Sequence, residues 1–185
     1  MRVIAGTARS LQLVTPLGEG TRPTTDRIRE TLFNIIQTDV PGSIFVDLFA
    51  GSGACGIEAL SRGAKKAYFI ENGREALDCI ERNVKHCHFD DVSMILKQDA
   101  VEAVKYTVRE AADIIFADPP YKKGFDRAVL AAATSAKCVT EDTLIIIEEA
   151  ADTDFAYADS LGYDIIKEKV YKTNKHVFLR RKSEE

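Results

Sequence analysis

The residues best suited to chemistry are Asp118-Pro119-Pro120-Tyr121, which follow the apolar run Ile115-Phe116-Ala117. Two consecutive prolines remove two backbone donors and keep the residues before them extended, so carbonyl acceptors cluster beside the Asp118 carboxylate. An aromatic ring follows at once and can stack on a flat base. Acceptors without donors suit an exocyclic amino group on a nucleobase. The lone pair of such an amine is conjugated into its ring and attacks poorly. Hydrogen bonds from its two N–H groups to the Asp118 side chain and the Pro119 carbonyl favour a pyramidal nitrogen and direct the lone pair at a methyl group. The bland alternative is a rigid turn after a buried strand.

A second stretch reads as a buried strand that breaks into a glycine turn and opens a helix: Phe45-Val46-Asp47-Leu48-Phe49-Ala50-Gly51-Ser52-Gly53-Ala54-Cys55-Gly56. Glycines at 51, 53 and 56 permit positive φ and close approach of a ligand, and the helix start offers unpaired N–H groups. This spacing also serves plain strand-to-helix packing. Asp47, inside the strand, repels a pyrophosphate and can anchor a cation directly or through water. Glu71 ends the next apolar run, Ala67–Ile70, where a carboxylate can accept both hydroxyls of a ribose. Asp99, before Ala100, can accept from an adenine amino group. A ribose, an ammonium and a sulfonium without phosphate describe S-adenosylmethionine. Any one of these acids could instead cap a helix.

From Ser43 onward, short β-branched runs alternate with helical patterns, the mark of a parallel sheet covered on both faces. The pattern predicts strands at 44–49, 67–71, 92–97, 113–118 and 142–149. Helices are expected at about 54–63, 73–88, 100–109, 124–136 and 153–161. Two β-rich runs, Tyr163–Tyr171 and His176–Arg181, joined by Lys172-Thr173-Asn174-Lys175, must form a hairpin, so one of them runs antiparallel. Before the sheet, Arg2–Ala5 and Leu11–Val14 read as a hairpin. A helix follows, with Thr25 as N-cap, Asp26 in its first turn, and an apolar stripe at Ile28, Leu32, Ile35 and Ile36. The fold expected is α/β: a seven-stranded, mostly parallel Rossmann-like sheet with a C-terminal antiparallel hairpin. Residues 1–42 form an N-terminal extension and 43–185 the catalytic domain. In such sheets ligands bind beyond the carboxyl ends of the strands, where Asp47, Glu71, Asp99 and Asp118 all fall.

The formal net charge of −4 hides a division along the chain. Five arginines against Glu19 and Asp26 leave residues 1–29 at +3, and seven basic side chains against Glu168 leave residues 167–183 at +6. The middle is acidic, so the two ends are expected to meet an anion. The four cysteines lack CxxC spacing, and Met1–Pro16 has no apolar core of a signal peptide, so a reducing cytoplasm is expected. No apolar run approaches the roughly 20 residues of a membrane span. His86-Cys87-His88 lacks a second ligand pair, and no metal is expected.

Asp118-Pro119-Pro120-Tyr121, together with Asp47-x-Phe49-x-Gly51-Ser52-Gly53, resembles the class I S-adenosylmethionine-dependent amino-methyltransferases. With Arg22-Pro23-Thr24-Thr25-Asp26-Arg27-Ile28-Arg29-Glu30-Thr31-Leu32-Phe33-Asn34, the chain is similar to the RsmD-type family of 16S rRNA (guanine-N2)-methyltransferases. The resemblance implies methylation of the guanine at position 966 of 16S rRNA during small-subunit assembly, by a cytoplasmic enzyme for which a monomer is the simplest state. It implies cofactor contacts from Asp47, Phe49, Gly51, Ser52, Gly53, Glu71, Asn72, Asp99, Ala100 and Asp118. Asp118, Pro119, Pro120 and Tyr121 would hold the guanine, and Arg2, Arg9, Arg22 and Arg27 would grip RNA phosphates. The family's usual Tyr-Gly-x-Thr turn is Tyr171-Lys172-Thr173-Asn174 here. Three other readings stay open. The acceptor could be adenine-N6 or a protein glutamine amide. The chain could be an NAD-dependent dehydrogenase, since Glu71 lies 20 residues after Gly51. It could also be a non-catalytic RNA-binding module.

Overall fold

The structure, a computed structural model, describes residues 1–16 and 26–183. Seven strands form one sheet: β1 Ile44–Leu48, β2 Lys66–Glu71, β3 Ser93–Lys97, β4 Ile114–Ala117, β5 Leu144–Ala150, β6 Tyr163–Val170 and β7 Asn174–Arg181. Their order is β3-β2-β1-β4-β5-β7-β6. The first five are parallel, and β7 runs antiparallel to both of its neighbours. Among the described residues, six α-helices flank the sheet: α1 Asp26–Ile35, α2 Ala54–Ser61, α3 Arg74–His86, α4 Ala100–Glu102, α5 Phe125–Ala133 and α6 Tyr157–Ser160.

Strand alternation sorts the core into two faces. Val46, Leu48, Ile115, Ile145 and Ile147 pack with Val129, Leu130 and Ala133 of α5. Phe45, Ile114, Phe116, Ile146 and Phe178 face Leu32, Phe33 and Ile36 of α1 and its extension, with Cys55 and Ala59 of α2. A third cluster joins Phe69 to Ile57, Ile80 and the N-terminal Val3 and Leu13. At Gly56 a Cβ would meet the Phe69 ring at 2.3 Å, so this glycine serves close helix-to-strand packing.

The N-terminal hairpin is reduced to one antiparallel bridge, Arg2 opposite Gln12, flanked by Val3 N–H donating to the Leu11 carbonyl (3.0 Å) and Leu13 N–H to the Met1 carbonyl (3.0 Å); the strands expected at Arg2–Ala5 and Leu11–Val14 do not form. It is tied to α2 by two polar side chains. Glu58, fully buried, accepts from Ile4 N–H (2.8 Å), Ala5 N–H (3.1 Å) and Arg62 Nε (2.7 Å). Ser61 Oγ accepts from Ala8 N–H at 2.9 Å and donates to the Ala5 carbonyl at 2.5 Å. Arg29 of α1, also fully buried, lies 3.8 Å from Glu58, pairs with Asp26 at 3.0 Å and donates to the Arg2 carbonyl.

Several expected boundaries shift for identifiable reasons. The helix expected at 100–109 is a short α4 that continues as a π-turn over Ala103–Thr107. The helix near 153–161 contracts to α6, because Asp154 holds the Ala156 N–H in a local turn at 2.9 Å before it. β7 starts two residues earlier than its apolar pattern suggests. Asn174 and Lys175 pair with Ala150 and Glu149 of β5 and are drawn into the sheet. The hairpin turn is therefore Tyr171-Lys172-Thr173, closed by Tyr171 N–H donating to the Asn174 carbonyl at 2.8 Å. Outer strand β6 is exposed after Tyr163 and breaks register between Ile165 and Lys167, a bulge that discourages edge pairing. Thr25 lies outside the described residues.

Removing Arg29 takes one of two cations from beside buried Glu58, leaves Arg62 in place, and opens a void where a fully buried side chain stood. Arg29→Ala is expected to cost about 2–5 kcal/mol, read as a lowered urea midpoint.

Candidate active site

The sheet reverses its strand order at β1, with β2 and β3 on one side and β4 and β5 on the other. A crevice beyond the carboxyl ends of β1 and β4 is therefore the place a ligand enters. The register lines up what stands there. Leu48 pairs with Ile70 and with Ala117, and Ala117 pairs with Ile147. One residue further on, Glu71, Phe49, Asp118 and Glu148 form a row across four adjacent strands, which His176 on β7 continues as the partner of Glu148.

Asp47 lies at the end of β1, 2% exposed, and its Oδ2 accepts from Gly56 N–H at 2.9 Å. It thereby ties β1 to α2, a role beyond the cation anchor expected of it. Burial pushes its carboxyl up to about 8; the Gly56 N–H opposes this, and the Glu71 charge adds to it. Such an acid gains its charge most readily beside a cation.

The turn after β1 alternates left-handed residues: Phe49 (φ +61), Gly51 (φ +57) and Gly53 (φ +76). The glycines were legible as such, but Phe49 was not. A bulky side chain at positive φ is uncommon and marks a constrained position. Its ring meets Phe125, the first residue of α5, edge-on at 5.3 Å. Ser52 is buried, and its carbonyl accepts from Asn83 Nδ2 at 2.9 Å.

Glu71 is more engaged than expected. Oε2 accepts from Gly51 N–H (2.9 Å), and Oε1 from Asn72 N–H (2.9 Å) and Gly73 N–H (2.8 Å). One carboxylate thus sets both loops that flank the crevice, with one lone pair of Oε2 left over for a hydroxyl. The Gly51 N–H that would cradle a pyrophosphate already points at this carboxylate, which weighs against a dinucleotide. Asp99 is exposed and caps α4, accepting from Val101 N–H (2.9 Å) and Glu102 N–H (3.1 Å) through Oδ1. The helix-cap use is realised at this acid, leaving Oδ2 for an amino group. Ala100 beneath it is buried.

After β4, Asp118 is half-buried, Pro119 buried, Pro120 exposed and Tyr121 half-buried. The Tyr121 hydroxyl donates to Glu148 Oε1 at 2.5 Å. Lys122 takes φ +58, and its N–H donates to Glu149 Oε1 at 2.9 Å. Burial first, then the charges of Asp47, Asp118 and Glu148, push the Cys55 thiol up, while Arg29 pulls it down. Cys55, in the first turn of α2, thus feels the charges of acids on β1, on β5 and in the loop after β4. Glu148 and Glu149 were not singled out from the sequence. Two adjacent acids closing the apolar run Leu144–Ile147 were the available signal.

The basic ends behave unevenly. Arg2, Arg9 and Arg27 are exposed, with Arg2 lying 3.7 Å from Asp26; Arg22 lies outside the described residues. Arg29, counted with them by charge alone, is internal. At the other end Lys175 is 8% exposed in its side chain and pairs with Glu168, while Arg181 binds the Ala133 and Thr134 carbonyls. β7 runs antiparallel, so Lys172 stands at the crevice end of the sheet and Arg181 at the opposite end. Among the described residues no three His, Cys, Asp or Glu side chains gather as a metal site requires, and no helix is long and apolar enough to cross a membrane.

This strand order, with its antiparallel seventh strand and acid-lined crevice, defines a class I methyltransferase fold. A solved structure of "Putative methyltransferase yhhF" from Escherichia coli matches with a TM-score of 0.83 at 28% identity, over 100% of this chain and 99% of that one. The chain belongs to the family described as conserved hypothetical protein 95, which matches residues 1–180. "Putative rRNA methyltransferase YlbH" of Bacillus subtilis is 35% identical over 150 residues, 80% of this chain and 82% of the relative. "Ribosomal RNA small subunit methyltransferase D" of Haemophilus influenzae is 31% identical over 172 residues, 91% and 88% of the two chains.

A cationic ligand should draw the proton off Asp47, so its affinity should rise with pH toward about 8, at most about tenfold per unit. Calorimetry of S-adenosylmethionine in buffers of differing ionisation enthalpy should show this proton release, and Asp47→Asn should abolish it. The sign for folding is opposite. A raised carboxyl stabilises the ligand-free protein fully below its unfolded value of 3.8, and the contribution is lost as pH rises to about 8.

Proposed function

We propose that the chain, an rRNA methyltransferase, carries a methyl group from S-adenosylmethionine to the exocyclic N2 of a guanine in 16S rRNA, position 966 by its family. The observation that carries this reading is the acceptor-only sequence Asp118-Pro119-Pro120-Tyr121, standing at the strand-order switch beside the acids of β1 and β2.

The residues present suit the donor. Asp47 offers a buried carboxyl to a cation, Glu71 offers the remaining lone pair of Oε2 to a ribose hydroxyl, and Asp99 and Ala100 would line the adenine. Phe49, Gly51, Ser52, Gly53 and Asn72 form the turn and loop around it. When bound, S-adenosylmethionine supplies an electrophilic methyl group on a positively charged sulfur. The chain's own task is to present the amine. Asp118 and the Pro119 carbonyl accept its two N–H groups and tilt the lone pair out of the ring plane. Pro120 keeps the backbone extended, and the Tyr121 ring stacks on the base after it has left its own stack. As the N–C bond forms and the methyl–sulfur bond breaks, with its electron pair left on a then neutral thioether sulfur, nitrogen would give up one proton to the Asp118 carboxylate, which already accepts from that N–H.

Residues 1–42 serve as the RNA-contacting extension, with Arg2, Arg9, Arg22 and Arg27 toward the phosphates, and 43–185 as the methyltransferase domain. The protein works as a cytoplasmic monomer on rRNA or on a small-subunit assembly particle.

Mass mapping of rRNA nucleosides from cells with and without the protein should show N2-methylguanine lost at one site; loss of a different methylated nucleoside would transfer the reading to another acceptor. Asp118→Ala should remove most turnover, at least about a hundredfold, and leave S-adenosylmethionine affinity nearly unchanged. An equal loss of both would make Asp118 a cofactor ligand alone. RNA affinity should fall steeply with salt, and replacing Arg9 and Arg27 by alanine should flatten the log–log slope by about 0.7–0.9 per arginine.

A further inference from the structure

Behind Tyr121 lies a buried polar cluster that the transfer step above does not use. Glu148 is 3% exposed, yet it accepts three hydrogen bonds. Oε1 receives the Tyr121 hydroxyl (2.5 Å) and Asn174 Nδ2 (2.7 Å), and Oε2 faces His176 Nε2 (2.9 Å). An ionised carboxylate only accepts, so Nε2 carries the hydrogen, and Nδ1 is left to the Tyr171 hydroxyl at 3.2 Å. The His176 ring stands edge-on to Phe116, Tyr171 and Phe178, which fixes its plane. Burial alone would raise the Glu148 carboxyl. The hydrogen bonds from His176, Tyr121 and Asn174 outweigh it and hold the group below the usual carboxylate range.

Glu149 points to the other face of β5 and accepts from Lys122 N–H at 2.9 Å, while its Oε2 takes Ala150 N–H (2.7 Å) and Thr153 Oγ1 (3.0 Å). Consecutive strand residues thus grip the loop after Pro120 from both faces, one by the ring hydroxyl and one by the backbone. The three residues before them, Ile145, Ile146 and Ile147, show that apolar side chains fill this strand without penalty. An ion with three donors is a costly filler and a precise tether. Its members converge on the ring that the proposed function sets against the base.

We propose that Glu148, with His176 and Asn174 behind it, is a positioning residue of the transfer reaction, holding the plane of the Tyr121 ring against the acceptor base. This rests on the reading of Tyr121 as the stacking residue. The test is a double-substitution cycle of Tyr121→Phe and Glu148→Gln, with kcat and KM on small-subunit rRNA, S-adenosylmethionine affinity by calorimetry, and the product nucleoside identified by mass.

Each single change should lower kcat roughly ten- to hundredfold with cofactor affinity unchanged, and the double variant should be no slower than the slower single. His176→Asn should fall in the same direction. Additive losses, or unchanged kcat with only a lower melting temperature, would overturn the positioning role. Should Glu148→Gln fail to fold, Tyr121→Phe decides alone, since it keeps the ring and removes the tether; wild-type kcat would overturn the inference. N2-methylguanine formed by the wild type with an additive cycle sinks this inference and leaves the function standing. A different methylated product sinks the function, and the cycle is then run on that acceptor.

Discussion

A carboxylate taken out of water must be given donors, a cation or a proton, and the whole crevice end of this sheet is arranged around that requirement. Acids close or follow five consecutive strands, and each is satisfied differently. Asp99 caps a helix, Glu71 binds three backbone N–H groups, Asp47 keeps a proton, and Glu148 and Glu149 collect donors from neighbouring strands and loops. Asp118, in the middle of the row, has prolines after it and so meets no N–H from the next two residues.

The same logic explains how the N-terminal extension joins the sheet domain. Its hairpin backbone ends on Glu58 and Ser61, and α1 sends Arg29 into the core beside them. The glycine turn and the N-terminal extension thus share one helix, α2, whose first turn meets Asp47 and whose last turn meets the hairpin. A shift of that helix would be felt at both.

Much of this was legible in the residues. Strand and helix alternation gave the parallel sheet, because buried parallel strands are long apolar runs and the helices between them carry clear stripes. The four acids at strand ends and the Asp-Pro-Pro-Tyr sequence located the crevice because their chemistry is local. What escaped was non-local. Periodicity says nothing about a hydrogen bond between residues 27 positions apart, so Glu148 could not be joined to Tyr121. Charge counting treats every arginine as surface, so Arg29 entered the positive sum of residues 1–29 although it is buried. Asn174 and Lys175 look like turn residues until β5 is placed beside them. Phe49 has a strand-former's side chain in a left-handed conformation that only its surroundings enforce.

All four cysteines are buried. Burial raises each thiol, and at Cys55 the surrounding acids raise it further. Thiolate is the reactive form, so alkylating and oxidising agents find almost none of it in the folded chain. The protein therefore carries its own reporters: the rate at which a maleimide labels Cys55 counts openings of the glycine turn, and a ligand that clamps that turn will slow the clock.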